Sequence, residues 1–262
     1  MPTPREQLAD VLRQSRLDAG YESHGALAKR LNVSRPVVSK AENAGQPVPS
    51  DAVLAAWAGA TGAPLDVLMD LGQRAKSGTP DWFMPYRLAE SEAHTLRCWA
   101  PSVVPGLFQT ESYMRAVLMV EPYTPARLDE LVIARLERQQ VIGRAVVTAI
   151  MDARVIYRLI GSPLVMAEQC AHLVKLGERP DVAVHVLPEA SNQGTGGALD
   201  IATKDNSVTV CLTTTLEDVT STAEHLVIKA QRSFDRLLGA AMPVAESLEL
   251  IRTAEQSWKS QI

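Results

Sequence analysis

Between residues 34 and 43 the sequence reads Ser-Arg-Pro-Val-Val-Ser-Lys-Ala-Glu-Asn. Its polar members are types that contact nucleic acid. An arginine takes guanine O6 and N7 together through its planar fork, a serine reaches an adjacent base edge, and a lysine meets a base or a phosphate. Helical spacing turns Ser34, Arg35, Pro36, Ser39 and Lys40 outward and leaves Val37, Val38 and Ala41 as the apolar positions. Arg35 is the leading candidate for base readout, while Pro36 shapes the helix start. Ser23, His24 and Asn43 suit phosphate contacts, the first two beside the start of a preceding helix. Glu42 reads as an ion-pair partner for an arginine of the first or second helix. Seven cations face five anions over residues 1–50, in a chain whose net charge is −4. That balance excludes a chain that coats nucleic acid over its whole surface, and it leaves room for a basic patch.

A helix in that position needs others to hold it. Leu8, Val11 and Leu12 repeat at helical spacing, and Gly20 ends the segment. Ser23 caps a second helix bearing Leu27, Ala28 and Leu31. Asn32 tolerates a left-handed turn, and Ser34 caps the third helix with Pro36 in its first turn. Ser50 caps a fourth helix with Val53, Leu54 and Trp57 inward. Gly62 closes it, and a fifth runs from about Pro64 to Leu71. Small Ala28 allows close approach, Asn32 turns the chain and β-branched Val38 locks the second helix of the pair onto the first.

The segment "ALAKRLNVSRPVVSKAEN" resembles the Cro/C1-type, or xenobiotic-response-element, helix-turn-helix regulators. That resemblance implies a five-helix DNA-binding domain that docks its recognition helix in the major groove and binds double-stranded DNA as a homodimer on a palindromic operator.

Residues 73–80 are polar and rich in turn formers and read as a linker, dividing a domain at 1–72 from one at 81–262. In the second domain, residues 81–100 read as helical and Pro101 to Gly106 as a turn. Further helices are expected over Glu111–Met119, Pro125–Ile142, Pro163–Leu176, Ser221–Leu238 and Pro243–Ser257. Strands are expected at 145–151, 182–187, 198–203 and 207–213, the last two joined as a hairpin through Lys204-Asp205-Asn206. The fold class expected is an all-α five-helix domain followed by a mixed α/β (α+β) domain with a small sheet and several helices.

The whole chain is similar to the actinobacterial WhiJ-like or Scr1-like regulators. The resemblance rests on Asp81-Trp82-Phe83, Ala89-Glu90, the run Trp99 to Thr110, Tyr113, Arg135, Arg138, Gln139, Gly161-Ser162-Pro163, Pro180, Val184, Leu187-Pro188 and Phe234 to Leu237. It implies developmental or antibiotic-related gene control and a small partner protein, with an antitoxin-like autorepressor as an alternative. Ala198 to Thr203 departs from the pattern, where a more apolar, aromatic segment is expected.

Trp82, Phe83, Tyr86, Trp99, Phe108 and Tyr113 crowd one stretch of a chain that is 5% aromatic. Core packing explains such a cluster; a ligand pocket lined by Trp82, Tyr86, Trp99, Phe108 and Tyr113 is the functional alternative. On one helix Glu90 and His94 would share a face, but no third metal ligand has confirmatory spacing. Ser191 to Gly197 lacks the lysine of a phosphate-binding loop, and Asp152 and Arg154 follow a strand without a wider catalytic signature. No catalytic residue, metal or cofactor is assigned, and a DNA-targeted enzyme is the less favoured reading. Cys98, Cys170 and Cys211 form no CxxC pair and read as buried free thiols. The absence of a signal peptide and of an 18-residue apolar run gives a cytoplasmic expectation, with no membrane partner.

Overall fold

The structure, a computed structural model, describes residues 3–77, 83–191, 196–214 and 218–262. The chain forms two compact units: Met1–Asp81 with Met119–Ala134, and Trp82–Leu118 with Arg135–Ile262.

The first unit opens with α1 (Pro4–Asp18), whose start is closed by a capping box. The Thr3 hydroxyl accepts from the Glu6 amide and the Glu6 carboxylate accepts from the Thr3 amide. Four helices follow: α2 (His24–Leu31), α3 (Arg35–Ala41), α4 (Asp51–Thr61) and α5 (Leu65–Ser77). Asn32 takes the left-handed conformation at φ 54° between α2 and α3. Leu8, Leu12, Leu27, Val38, Leu54, Trp57 and Leu68 are sealed from solvent in one core. Each such large side chain contributes roughly 1.5–3 kcal/mol by burial. Two expectations change here. Helix α5 continues to Ser77 rather than stopping near Leu71, so residues 73–77 are helical and not linker; Ala75 packs in the core and carries the last turns. Residues 78–80 lie outside the described residues. Ser34 occupies the cap position of α3, but its side chain makes no capping bond.

The second unit contains a six-stranded mixed sheet. Helix α6 (Met84–Glu92) leads into β1 (Thr95–Ala100), followed by α7 (Glu111–Leu118), α8 (Pro125–Arg138), β2 (Val146–Asp152), α9 (Ala153–Tyr157), α10 (Pro163–Gly177), β3 (Val182–Leu187), β4 (Ala198–Lys204), β5 (Ser207–Thr213), β6 (Asp218–Ser221), α11 (Glu224–Ala240) and α12 (Val244–Lys259). The first two turns and more of α8, to Ala134, belong to the first unit. There Arg127 donates to the Ala75 carbonyl at 2.8 Å and to Glu130 at 2.9 Å.

The strand order is β3-β2-β1-β4-β5-β6, with β1 parallel to β2 and antiparallel to β4. Alternation sorts its side chains between two cores. Leu96, Cys98 and Ala100 join Val147, Ala149, Met151, Leu173 and Ile251 on one face; Trp99 joins Ile150, Leu199, Val210 and Phe234 on the other. Strand β1 corrects the helical reading of residues 95–100. A six-residue segment covered on both faces lacks a polar stripe, and its pairing partners begin 51 and 103 residues downstream, at Val146 and Ala198. Strand β6 likewise takes Ser221 out of the expected helix, which starts at Glu224. Lys204 pairs with Ser207 across a two-residue turn in which Asp205 has φ 50°.

All three cysteines are free and buried. Burial pushes the Cys170 and Cys211 thiols up to about 12 and the Cys98 thiol well above its ordinary value. The native chain at pH 8 is therefore expected to leave all three unreacted with a disulfide reagent such as dithionitrobenzoate, and to release all three in denaturant. Rapid labelling of the native chain contradicts the packing described.

Candidate nucleic-acid interface

The turn from α2 to α3 is set by short-range chemistry. The Ser23 hydroxyl accepts from the Ala26 amide at 3.2 Å and starts α2. Ala28 is 3% exposed, which lets α3 approach, and Val38 closes the contact. With Val38 and Ala41 buried, Ser34, Arg35, Pro36, Ser39 and Lys40 all stand exposed on α3, and Val37 is half-buried. Among the described residues neither the Arg35 guanidinium nor the Lys40 ammonium has a hydrogen-bond or ion-pair partner.

Helix α3 has only seven residues, too few to persist alone in water. Two arginines of α1 hold its far end. Arg5, 3% exposed, donates to the carbonyls of Lys40 (3.0 Å), Ala41 (3.0 Å), Asn43 (2.6 Å), Gln46 (3.1 Å) and Pro47 (3.4 Å). These include carbonyls that the helix end leaves without an intrahelical donor. Burial, and secondarily the charge of Arg127, pushes Arg5 down to about 10, so it remains a cation at neutral pH. Arg16 donates to both carboxylate oxygens of Glu42, at 2.5 and 2.9 Å, and to the carbonyls of Tyr21 and Glu22. The Glu42 hydrogen bonds hold the Arg16 guanidinium above its ordinary range.

His24 and Asn43 are already engaged. His24 Nε2 lies 3.1 Å from Glu42, and Asn43 Oδ1 accepts from the Gly45 amide at 2.9 Å. Arg13, which sequence reasoning counted only as a cation, borders the same cleft as His24, Ser39 and Asn43. Its side chain is 55% exposed and donates to the Glu42 carbonyl at 3.2 Å. Only its helical spacing from Ala9 and Arg16 on α1 hinted at that placement.

In the second unit the aromatic candidates separate. Tyr86 and Trp99 border a cavity of about 250 Å³, although the Trp99 side chain packs in the opposite core. Phe108 and Tyr113 are fully buried in the first core, with the Tyr113 hydroxyl accepting from the Val104 amide at 3.3 Å. Trp82 lies outside the described residues, as do Asn192 to Thr195 of the glycine-rich segment. Helix α6 ends at Glu92, so Glu90 and His94 do not share a helix face. Glu90 instead pairs with Arg138, and His94 lies 3.7 Å from Asp205. Asp152 caps α9 and pairs with Arg154, whose hydrogen bonds hold its carboxyl below the usual range.

Residues 7–71 match a helix-turn-helix domain family, a match that supports a DNA-binding regulator. Residues 83–253 match a second family, described as a domain of unknown function, DUF5753. The chain belongs to the DUF5753 family. No curated protein and no solved structure matches it significantly. Among the described residues no helix is long and apolar enough to cross a membrane.

In this DUF5753 protein, Glu42 joins α1, α2 and the end of α3. Glu42→Ala strands the buried Arg16 guanidinium and is expected to lower unfolding free energy by roughly 3–5 kcal/mol. Denaturant titration followed by tryptophan fluorescence measures this, and a change below 1 kcal/mol, on the order of an exposed pair, rejects it.

Proposed function

We propose that this chain is a sequence-specific DNA-binding transcriptional regulator of the Cro/C1 type that works as a homodimer on a palindromic operator. Its C-terminal part, from residue 81, senses a small molecule or a small partner protein and sets DNA affinity, in the manner implied by the WhiJ-like resemblance. Residues 1–72 form the DNA-reading head. The observation that carries the reading is the exposed face of α3, with Arg35 and Lys40 unpartnered and the helix held rigidly from behind.

In this reading Arg35 contacts a guanine edge, Ser34 and Ser39 make neighbouring polar contacts, and Pro36 fixes the first turn. Lys40 meets a phosphate. In the same reading Ser23, His24 and Asn43 contact the DNA backbone with the polar capacity left by their bonds to Ala26, Glu42 and Gly45, and Arg13 joins them. Phosphate contacts fix register and supply affinity, while the base contacts select sequence. A regulator rather than an enzyme fits this division.

The test is selection of bound sites from random duplex DNA, with binding then measured across salt. Arg35→Ala is expected to cost ~1–3 kcal/mol on the selected site and to relax one base position. Lys40→Ala is expected to weaken all sequences alike and to reduce the salt slope by about 1. Equal affinity and site choice in Arg35→Ala removes the assignment of α3, and failure of the wild type to select any site removes the DNA reading.

A further inference from the structure

We propose that the cavity in the second unit receives a compact organic cation, an amine or amidine on a small apolar body, bound by the Asp200 carboxylate with Gln109 Oε1 as a second acceptor. This deepens the sensing reading above by naming the class of effector, and it rests on that reading for its regulatory meaning.

The sheet register places Asp200 beside Cys98 on β1 and Cys211 on β5, on the face covered by α6. An acid at that position has thiols as its cross-strand neighbours and the Glu90–Arg138 pair nearby, and it borders the cavity. Leu96, Val103, Val104, Leu107 and Val117 supply apolar wall, and Tyr86, Glu90, Arg135 and Arg138 supply the rest of the polar lining. A volume of about 250 Å³ lies below the usual range of drug-sized pockets.

The lining carries Arg135 and Arg138 against Glu90 and Asp200, and these four are not paired evenly. Arg138 spends its fork on Glu90, with bonds of 2.5 and 2.7 Å, and stacks over the Phe83 ring at 4.8 Å. Arg135 has its own partner. Asp200 has no hydrogen-bond donor and no ion pair among the described residues. An uncompensated carboxylate in a half-buried, largely apolar setting is costly, and a cation bound to it relieves part of that cost.

A second wall residue repeats the deficit. Gln109 is 4% exposed, and its Nε2 donates to the Val104 carbonyl at 2.7 Å, which fixes the orientation of the amide. The other end, Oε1, is buried and has no donor among the described residues. Asp200 on the cavity wall and the buried Gln109 Oε1 are both acceptors in want of donors, which favours a donor-bearing ligand.

Desolvation, with help from Glu90 and against Arg138, pushes Asp200 up to about 7. Glu90, paired with Arg138, and Arg135 also face it. Tyr86 and Cys98 are held well above their ordinary values, Cys211 is pushed up to about 12, and Arg138 is raised and remains cationic. Cation affinity is therefore expected to fall as pH drops below about 7. The free protein should behave oppositely. A carboxyl raised in the folded state contributes stability that is present below its ordinary pKa and lost as pH rises through about 7. Asp200→Asn should flatten that loss and unfold at a higher temperature than wild type at pH 8.

The deciding experiment is calorimetric titration of the full chain at pH 8 with benzylamine, benzamidine, benzyl alcohol and benzoate. At least one of the two cations is expected to bind, with the alcohol and the acid weaker by about tenfold or more. Asp200→Asn should remove the preference for the cation, and Ala198→Phe, which fills the cavity from β4, should remove binding. Thermal unfolding of both variants verifies that they fold. Failure of both cations to bind, equal binding of benzyl alcohol, or an Asp200→Asn variant that keeps the preference each overturns the proposal. DNA affinity measured with and without the bound cation reports on sensing separately. Binding that leaves DNA affinity unchanged supports the site while removing its regulatory role.

Discussion

The helix that faces outward in the first unit exists because two buried guanidinium groups hold it. Seven residues make too few internal hydrogen bonds to offset the cost of nucleation. Arg5 donates to carbonyls in and beyond the last turn of α3, and Arg16 fixes Glu42 at its C-cap. An ion pair this deep is weak as a net source of stability, because both charges give up hydration. Its value lies in direction: the carbonyls and the carboxylate are met at fixed distances, so α3 has one position relative to α1. Side chains that must reach base edges need that fixity, since misplacement lengthens every hydrogen bond at once.

The second unit is built around a different constraint, the central position of β1. A strand with partners on both sides and cores on both faces must send alternate residues to opposite layers. That alternation puts Cys98 on the face that also receives Asp200, and Trp99 on the face of Phe234. The run from Pro101 to Gly106 then wraps the end of the strand, and Gln109 binds it back through Val104. The cavity is thus a consequence of where β1 stops and how the chain leaves it.

What the sequence disclosed follows the same division. The five helices of the first unit were legible because their determinants are local: caps at Ser23 and Ser50, a left-handed Asn32, apolar positions at helical spacing. Even the role of Glu42 was legible, since a carboxylate just past α3 with arginines on α1 has few other uses. Strand β1 was not, because Thr-Leu-Arg-Cys-Trp-Ala has no pattern that separates a doubly covered strand from a helix turn. Asp200 was invisible as a site residue, since only the register of β4 against β1 tells which face it takes. Glu90 and Arg138, 48 residues apart, carried a resemblance in the sequence, but their pairing is a tertiary fact. Ala198 to Thr203, read in the sequence as departing from the WhiJ-like pattern, forms most of the strand that carries Asp200.

The two units differ in how their central charged groups are partnered. In the first, Arg5, Arg16 and Glu42 are each met by several partners, although Arg127 Nε in the same unit is buried without an acceptor. In the second, Arg138 and Glu90 satisfy each other while Asp200 and Gln109 Oε1 are left short. A ligand shifts a conformational equilibrium only by the difference in its affinity for the two states. A fully compensated cluster offers little such difference. On the proposal above, the Asp200 carboxylate would offer one, since a bound cation relieves part of its desolvation.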